Sequence, residues 1–300
     1  MPLAVIGTVA VDSVETPYGN RGAVMGGSAS YFSYAASFFT PVALVAVVGD
    51  DFPEEYRKVL KERPIDLGHL KTVRGKTFHW KGKYENDMNS AITLETHLNA
   101  LLDFDPEWNL PKPPEFLFLA NIDPTLQAKV LDRFRSEKPR YVACDTMNFW
   151  IQSKKKDLLE ILKRVDCLIL NDGEARALTG LSNLVQAAET IQRMGPRHLV
   201  IKKGEHGVLL FYGRDQAAMP ALPLKKVFDP TGAGDTFAGG MIGYLASRKK
   251  VDFQNFKKAA AYGTVMASFT VQDFGLENLR RIRARDLKVR LEVFRNLGKF

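Results

Sequence analysis

The sequence predicts an α/β protein built on a mostly parallel sheet, and three observations carry that prediction. Short, nearly continuous apolar runs recur along the 300 residues, segments of helical character lie between them, and a Gly-rich turn opens one of the later helices. Apolar runs without alternation fit strands covered on both faces, and their interleaving with helices is the βαβ pattern of a parallel sheet. With 45% hydrophobic and 25% charged residues, the chain has the composition of a globular protein able to bury a sizeable core.

The strand-like runs cover residues 3–6, 42–48, 116–120, 141–144, 165–170 and 198–201. Helical character falls on 29–39, 53–63, 125–135, 154–164 and 184–194. Two regions interrupt the pattern. Residues 13–24 are polar and turn-rich, while 72–96 include the alternating stretch Thr77, Phe78, His79, Trp80. Both predict strands of a small separate sheet inserted between α/β units. Residues 111–114, with Pro111, Pro113 and Pro114, return the chain to the main sheet.

Lys and Arg number 42 against 34 acidic residues, a formal charge of +8. The surplus invites a nucleic-acid reading, but the basic residues are scattered and accompany no RRM or zinc-finger pattern, so no nucleic-acid partner is expected. No apolar run reaches the roughly 18 residues needed to span a bilayer, and nothing reads as a targeting segment. Cys144 and Cys167 sit inside apolar runs without metal-ligand spacing. They read as buried thiols, and the expected compartment is the cytoplasm.

The sharpest signal is Asp229-Pro230-Thr231-Gly232-Ala233-Gly234-Asp235, which leads directly into a helical run. A Gly-rich turn at a helix N-terminus leaves N–H groups free and adds the positive end of the helix dipole, which makes an anion site. A Walker A loop is excluded, because Gly239 is followed by Gly240-Met241 rather than by Lys and Ser or Thr. A dinucleotide fingerprint is excluded as well, since Phe237 stands where its third glycine would be. Asp235 then needs a reason, being a carboxylate where an anion should bind. It could cap the helix, or it could act as a general base that accepts the proton of an incoming hydroxyl beside a phosphate cradle.

The stretch from Asp229 to Asp235, continued by Thr236-Phe237-Ala238-Gly239-Gly240, resembles the C-terminal signature of the ribokinase or PfkB family of carbohydrate and nucleoside kinases. With the other motifs the resemblance covers nearly the whole chain, from Gly7 to Gly275. It implies a ribokinase-like, Rossmann-type sheet flanked by helices, with a β-sheet lid over the acceptor. Residues 1–300 then form one domain, with lid segments at about 13–24 and 72–97. It also implies ATP and Mg²⁺, Asp235 as base, and Gly232, Ala233 and Gly234 as the anion hole.

Further motifs take their roles from the same resemblance. Asn171-Asp172-Gly173-Glu174 follows an apolar run and resembles the family's Asn-x-x-Glu motif, which implies that Asn171 and Glu174 hold Mg²⁺ through water. Its other reading is a turn with a helix-starting Glu. Lys203, Gly204 and Gly207 match a segment bordering the nucleotide, although in isolation they read as a hairpin turn. Asp229 and Thr231 border a monovalent cation in the family, which implies K⁺. Asp12 matches the residue that binds substrate hydroxyls, and Gly26-Gly27 the glycine pair against which the substrate packs. Asn121, at the end of a strand, is a further substrate candidate.

Departures bear on the acceptor. Ser30, Tyr31 and Phe32 stand where many sugar kinases of the family carry an Asn, Ala10 replaces a polar residue, and Pro230 enters the signature loop. The expected acceptor is a small neutral sugar with a primary hydroxyl. A nucleoside is the alternative, because Phe78, Trp80 and Tyr84 could stack on a base. A non-catalytic nucleotide-binding regulator is disfavoured by the retained Asp235, whose carboxylate a pure anion binder would not need. Lids of this family often mediate dimers, which implies a homodimer through the lid.

Overall fold

Alternate residues of the first strand, β1 (Leu3–Ile6), face two different cores. Leu3 and Val5 pack into one, with the helices Ala233–Arg248 and Phe253–Thr270, while Ala4 and Ile6 pack into the other. A strand buried on both faces must read as a continuous apolar run, which is why the sequence shows no alternation there. The computed structural model describes residues 2–106 and 112–298; Pro111 of the expected proline-rich return lies outside them.

The next strands are β2 (Ala10–Thr16), β3 (Gly19–Gly26), β4 (Val42–Gly49), β5 (Ile65–Asp66), β6 (Leu70–Val73), β7 (Phe78–Tyr84) and β8 (Ala91–His97). They are followed by β9 (Phe116–Leu119), β10 (Tyr141–Asp145), β11 (Cys167–Asn171), β12 (His198–Lys202), β13 (Val208–Tyr212) and β14 (Asp215–Met219). The large sheet runs β14-β13-β12-β11-β10-β9-β1-β4-β5, with β6 also on β4. From β12 to β5 every pairing is parallel, and β13 and β14 add an antiparallel edge. Asn171 and Lys202 are register partners at the carboxyl ends of β11 and β12, and Asp145, opposite Ile169, ends the neighbouring β10.

The small sheet is real, with order β3-β2-β7-β8. Its limits differ from expectation. Residues 13–24 are strands as expected, but within longer ones, β2 and β3 forming an antiparallel hairpin around the 17–18 turn. Residues 70–73 belong to the large sheet through β4, so the inserted sheet spans 10–26 and 78–97. Along β2 burial alternates strictly, with Ala10, Asp12, Val14 and Thr16 inward. That inner face meets Tyr84, Phe274 and Trp80.

Two helices place the Gly-rich turn. An added Cβ at Gly239 would stand 2.3 Å from the Phe32 carbonyl oxygen, so helix Ser28–Ala36 crosses helix Ala233–Arg248 at backbone contact. Both cysteines are buried and unpaired, as expected. Among the described residues no helix is long and apolar enough to cross a membrane.

Candidate active site

Backbone geometry supports the anion loop. Gly232 lies in the left-handed region, with φ 73° and ψ 2°, and starts helix Ala233–Arg248 without any side-chain cap. Only glycine adopts that conformation freely. The Ala233 N–H turns back to the Pro230 carbonyl at 3.1 Å, whereas among the described residues nothing accepts from the Gly234 N–H. A free donor at the positive end of a 16-residue helix is the arrangement that attracts an anion.

Asp235 follows in the first turn, and its carboxyl hydrogen-bonds that of Asp145 from β10. Burial pushes both carboxyls up, and Lys202 opposes the shift in each. The contact with Asp235 drives Asp145 further up, while the hydrogen bond from Asp145 lowers Asp235. The Lys202 ammonium lies over the loop, since an added Cβ at Gly234 would stand 2.7 Å from its Nζ.

Asn171 and Glu174 form a reciprocal cap on helix Asp172–Thr179. Asn171 Oδ1 accepts from the Glu174 N–H at 2.8 Å, and Glu174 Oε2 accepts from the Asn171 N–H at 2.7 Å. The helix-start reading is thus correct as geometry. The same cap brings Glu174 within the field of Lys202 and Asp235, where burial raises its carboxyl and Lys202 holds it down. A cluster of oxygen donors beside a free N–H at a helix start has the chemistry to take Mg²⁺ and a phosphate.

Across the cleft, Asp12 on β2 is 4% exposed. The N–H groups of Trp80 and Gly27 donate to its carboxylate, yet Oδ1 lacks any partner. Burial first, then the charges of Asp229 and Asp235, push this carboxyl up to about 8 against the lowering effect of those two N–H groups. Gly26 must be glycine here, because a Cβ would fall 1.8 Å from Asp12 Oδ2. Gly27 lies at the start of helix Ser28–Ala36 with φ 93°.

The other expected residues take varied places. Asn121 commits its side chain to the protein, with Trp150 Nε1 donating to Oδ1 at 2.9 Å and Nδ2 donating to Met147 Sδ at 3.2 Å; its carbonyl accepts from Ser28 Oγ. Lys203, Gly204 and Gly207 form the β12–β13 hairpin connection, with the Lys203 N–H on the Gly207 carbonyl at 2.8 Å. Gly204 meets the lid, since an added Cβ would stand 2.7 Å from Asn89 Oδ1. Asp229 is wholly buried and accepts from the N–H groups of Thr231 at 2.8 Å and Gly275 at 3.4 Å. Thr231 Oγ1 donates to the Tyr84 hydroxyl at 3.3 Å, which ties the lid to the loop.

The structure adds residues that sequence reasoning missed. Lys202 reaches the loop, and Asp145 partners the expected base. Tyr31 lies flat on Gly232, where an added Cβ would be 2.5 Å from Cδ1, Cδ2 and Cε1 of its ring. Lys81 and Lys83 point outward as alternation predicts; Lys81 pairs with Glu95 on the outer face at 3.2 Å. Lys76 precedes β7 and lines a separate surface cleft with Arg74, Asp103 and Asp105.

Comparison with known proteins agrees with this geometry. The pfkB family carbohydrate kinase pattern matches residues 3–282. A cytidine kinase of Thermococcus kodakarensis is 32% identical over 260 residues, 83% of this chain and 90% of that one. The ribokinase of Lactococcus lactis is 25% identical over 291 residues, 92% of each chain. The fold also superimposes on the crystal structure of Methanocaldococcus jannaschii nucleoside kinase, an archaeal member of the ribokinase family, with a TM-score of 0.77 at 23% identity over 98% of this chain and 99% of that one. Signature loop, sheet order and these likenesses lead to one conclusion: the chain belongs to the pfkB family of carbohydrate kinases.

Proposed function

We propose that the protein transfers the γ-phosphoryl group of ATP to a primary hydroxyl of a neutral sugar or nucleoside. The observation that carries this reading is Asp235 at the mouth of the Gly232–Gly234 turn, with Lys202 over the loop and Asp12 across the cleft. In the step itself the acceptor oxygen attacks the γ-phosphorus, its proton passes to the Asp235 carboxylate, and ADP leaves. The Gly234 N–H and Lys202 stabilise the charge that spreads over the transferring group. Asn171 and Glu174 would hold Mg²⁺ through water, and the ion would neutralise triphosphate charge when bound. Residues 1–300 act as one unit in this reading, with the small sheet as a lid that excludes water.

Electrostatics supports a neutral acceptor. Asp12, Asp229 and Asp235 act on one another across this part of the cleft, and the lid lysines Lys81 and Lys83 point away. A dianionic sugar phosphate would be buried among carboxyl groups with few cations to meet it, since Lys202 serves the anion loop and Arg21, on the inner face of the lid, packs on the Phe274 ring, and that is costly. A nucleoside is favoured over a free sugar by the half-buried Trp80 on the inner face of the lid and by the cytidine kinase relative.

ADP production with cytidine, adenosine, ribose, fructose and fructose 6-phosphate tests the reading. We expect turnover on a neutral acceptor, and a drop in kcat of about 10²-fold or more in Asp235→Asn, the usual scale for losing a general base. Near-normal turnover in that variant would remove Asp235 from the mechanism. A tenfold preference for fructose 6-phosphate would overturn the neutral acceptor.

A further inference from the structure

Tyr31 presents two contradictory faces to the site. Its ring is packed tightly on Gly232, whereas its hydroxyl is buried and has no hydrogen-bond partner. The residue is 1% exposed, so bulk water does not satisfy the group. Buried hydroxyls in folded proteins are nearly always paired, and an orphan costs the protein stability without return.

The surroundings say what could pair with it. The charged and titratable groups that act on this hydroxyl are Asp229, Asp12, Tyr84 and Asp235. They come from the signature loop and from both strands of the lid that face it. None makes a hydrogen bond to it, and Asp12 Oδ1, whose carboxyl acts on this hydroxyl, is also without a partner. Two orphaned oxygens, one an O–H donor and the other a carboxyl acceptor, suit a ligand that offers both an oxygen acceptor and a hydroxyl donor. A polyhydroxylated neutral ring has both. An anion would meet the carboxyl groups of Asp12, Asp229 and Asp235 instead.

We propose that Tyr31 joins the two halves of the site, its ring bracing Gly232 of the anion loop while its hydroxyl donates a hydrogen bond to an oxygen of the acceptor beside Asp12. This rests on the acceptor reading above and goes further, because it makes Tyr31 a specificity and positioning residue. The acceptor that engages the hydroxyl also fixes the ring, and the ring fixes the conformation of the turn that receives the phosphoryl group.

The test uses Tyr31→Phe, which keeps the ring and removes only the oxygen. Steady-state kinetics and calorimetric binding, without ATP, are measured for wild type and variant with cytidine, adenosine and ribose. The acceptor KM and Kd are expected to rise about tenfold or more while the KM for ATP stays within about twofold. The ligand-free variant is expected to melt no lower than wild type, because the lost hydroxyl had no partner. Unchanged acceptor affinity, or a clear fall in the ligand-free Tm, overturns the proposal. Tyr31→Leu also removes the brace and is expected to lower kcat; wild-type kcat there removes the ring's role. If wild type binds an acceptor but never phosphorylates it, the kinase reading fails, and the binding ratio still decides Tyr31. If it binds none of them, both fail.

Discussion

Asp12→Asn should make the ligand-free protein more stable and the enzyme worse. Its carboxyl is pushed from an ordinary value of 3.8 up to about 8, chiefly by burial and then by Asp229 and Asp235. Between these two values the folded chain keeps a proton that the unfolded chain has released. Stability therefore falls as pH rises through that window, and it is flat on either side. At about 1.4 kcal/mol per pH unit, holding Asp12 protonated at neutral pH costs about 4 kcal/mol as an upper limit.

Asparagine removes that cost and can still accept one of the two N–H groups, from Trp80 or Gly27. The second N–H is left poorly paired, at a cost of about 1–2 kcal/mol. A net gain of about 2 kcal/mol at neutral pH corresponds to a rise in Tm of about 3 °C for a chain of this size. Scanning calorimetry of both proteins from about pH 5 to pH 8 should show the difference growing with pH, since the other titrating groups cancel. A difference that is flat with pH, or a variant that melts lower throughout, would refute the account of Asp12. The same variant should lose about 10²-fold or more in kcat/KM for the acceptor, because the carboxyl group that takes acceptor hydroxyls is gone.

Two further outcomes follow from the loop. Gly232→Ala puts a Cβ on a residue with φ 73°, 2.5 Å from the buried Tyr31 ring, and should lower both Tm and kcat/KM for ATP, the latter by about tenfold or more; equal kinetics in the variant would show that the turn does not depend on its left-handed shape. We also expect K⁺ to stimulate turnover, because Asp229 is wholly buried and, among the described residues, no lysine or arginine forms an ion pair with it. Equal rates in K⁺ and in a bulky organic cation at matched ionic strength would exclude that site.

The large sheet was legible because its strands are covered on both faces, and the same property made their boundaries accurate to a residue or two. The hairpin of β2 and β3 was legible only as strands of a small sheet and not in its bounds, since Ser13 and Glu15 lie on an outer face where polar residues cost nothing. The signature loop announced its anion site through local chemistry alone, as its glycines and the helix that follows are contiguous. Its partners are not. Asp145 lies 90 residues from Asp235, and only the sheet order β10-β11-β12 sets its carboxyl beside Lys202 and the loop.

Lys202 was within reach of sequence reasoning nonetheless. In β12, Leu199 and Ile201 face one core, while Val200 faces the other, which contains Phe237 and Ala238 of the helix that follows the loop. Parity then assigns Lys202 to the side of Val200, toward the anion, and leaves Lys203 to start the hairpin. The rule that selected Asn121 and Asn171, polar residues at carboxyl ends of parallel strands, selects Asp145 and Lys202 when applied to every strand. No such rule reaches Tyr31. Its position over Gly232 depends on the backbone contact of two helices at Gly239, and its unpaired hydroxyl becomes visible only once every neighbouring oxygen has been placed.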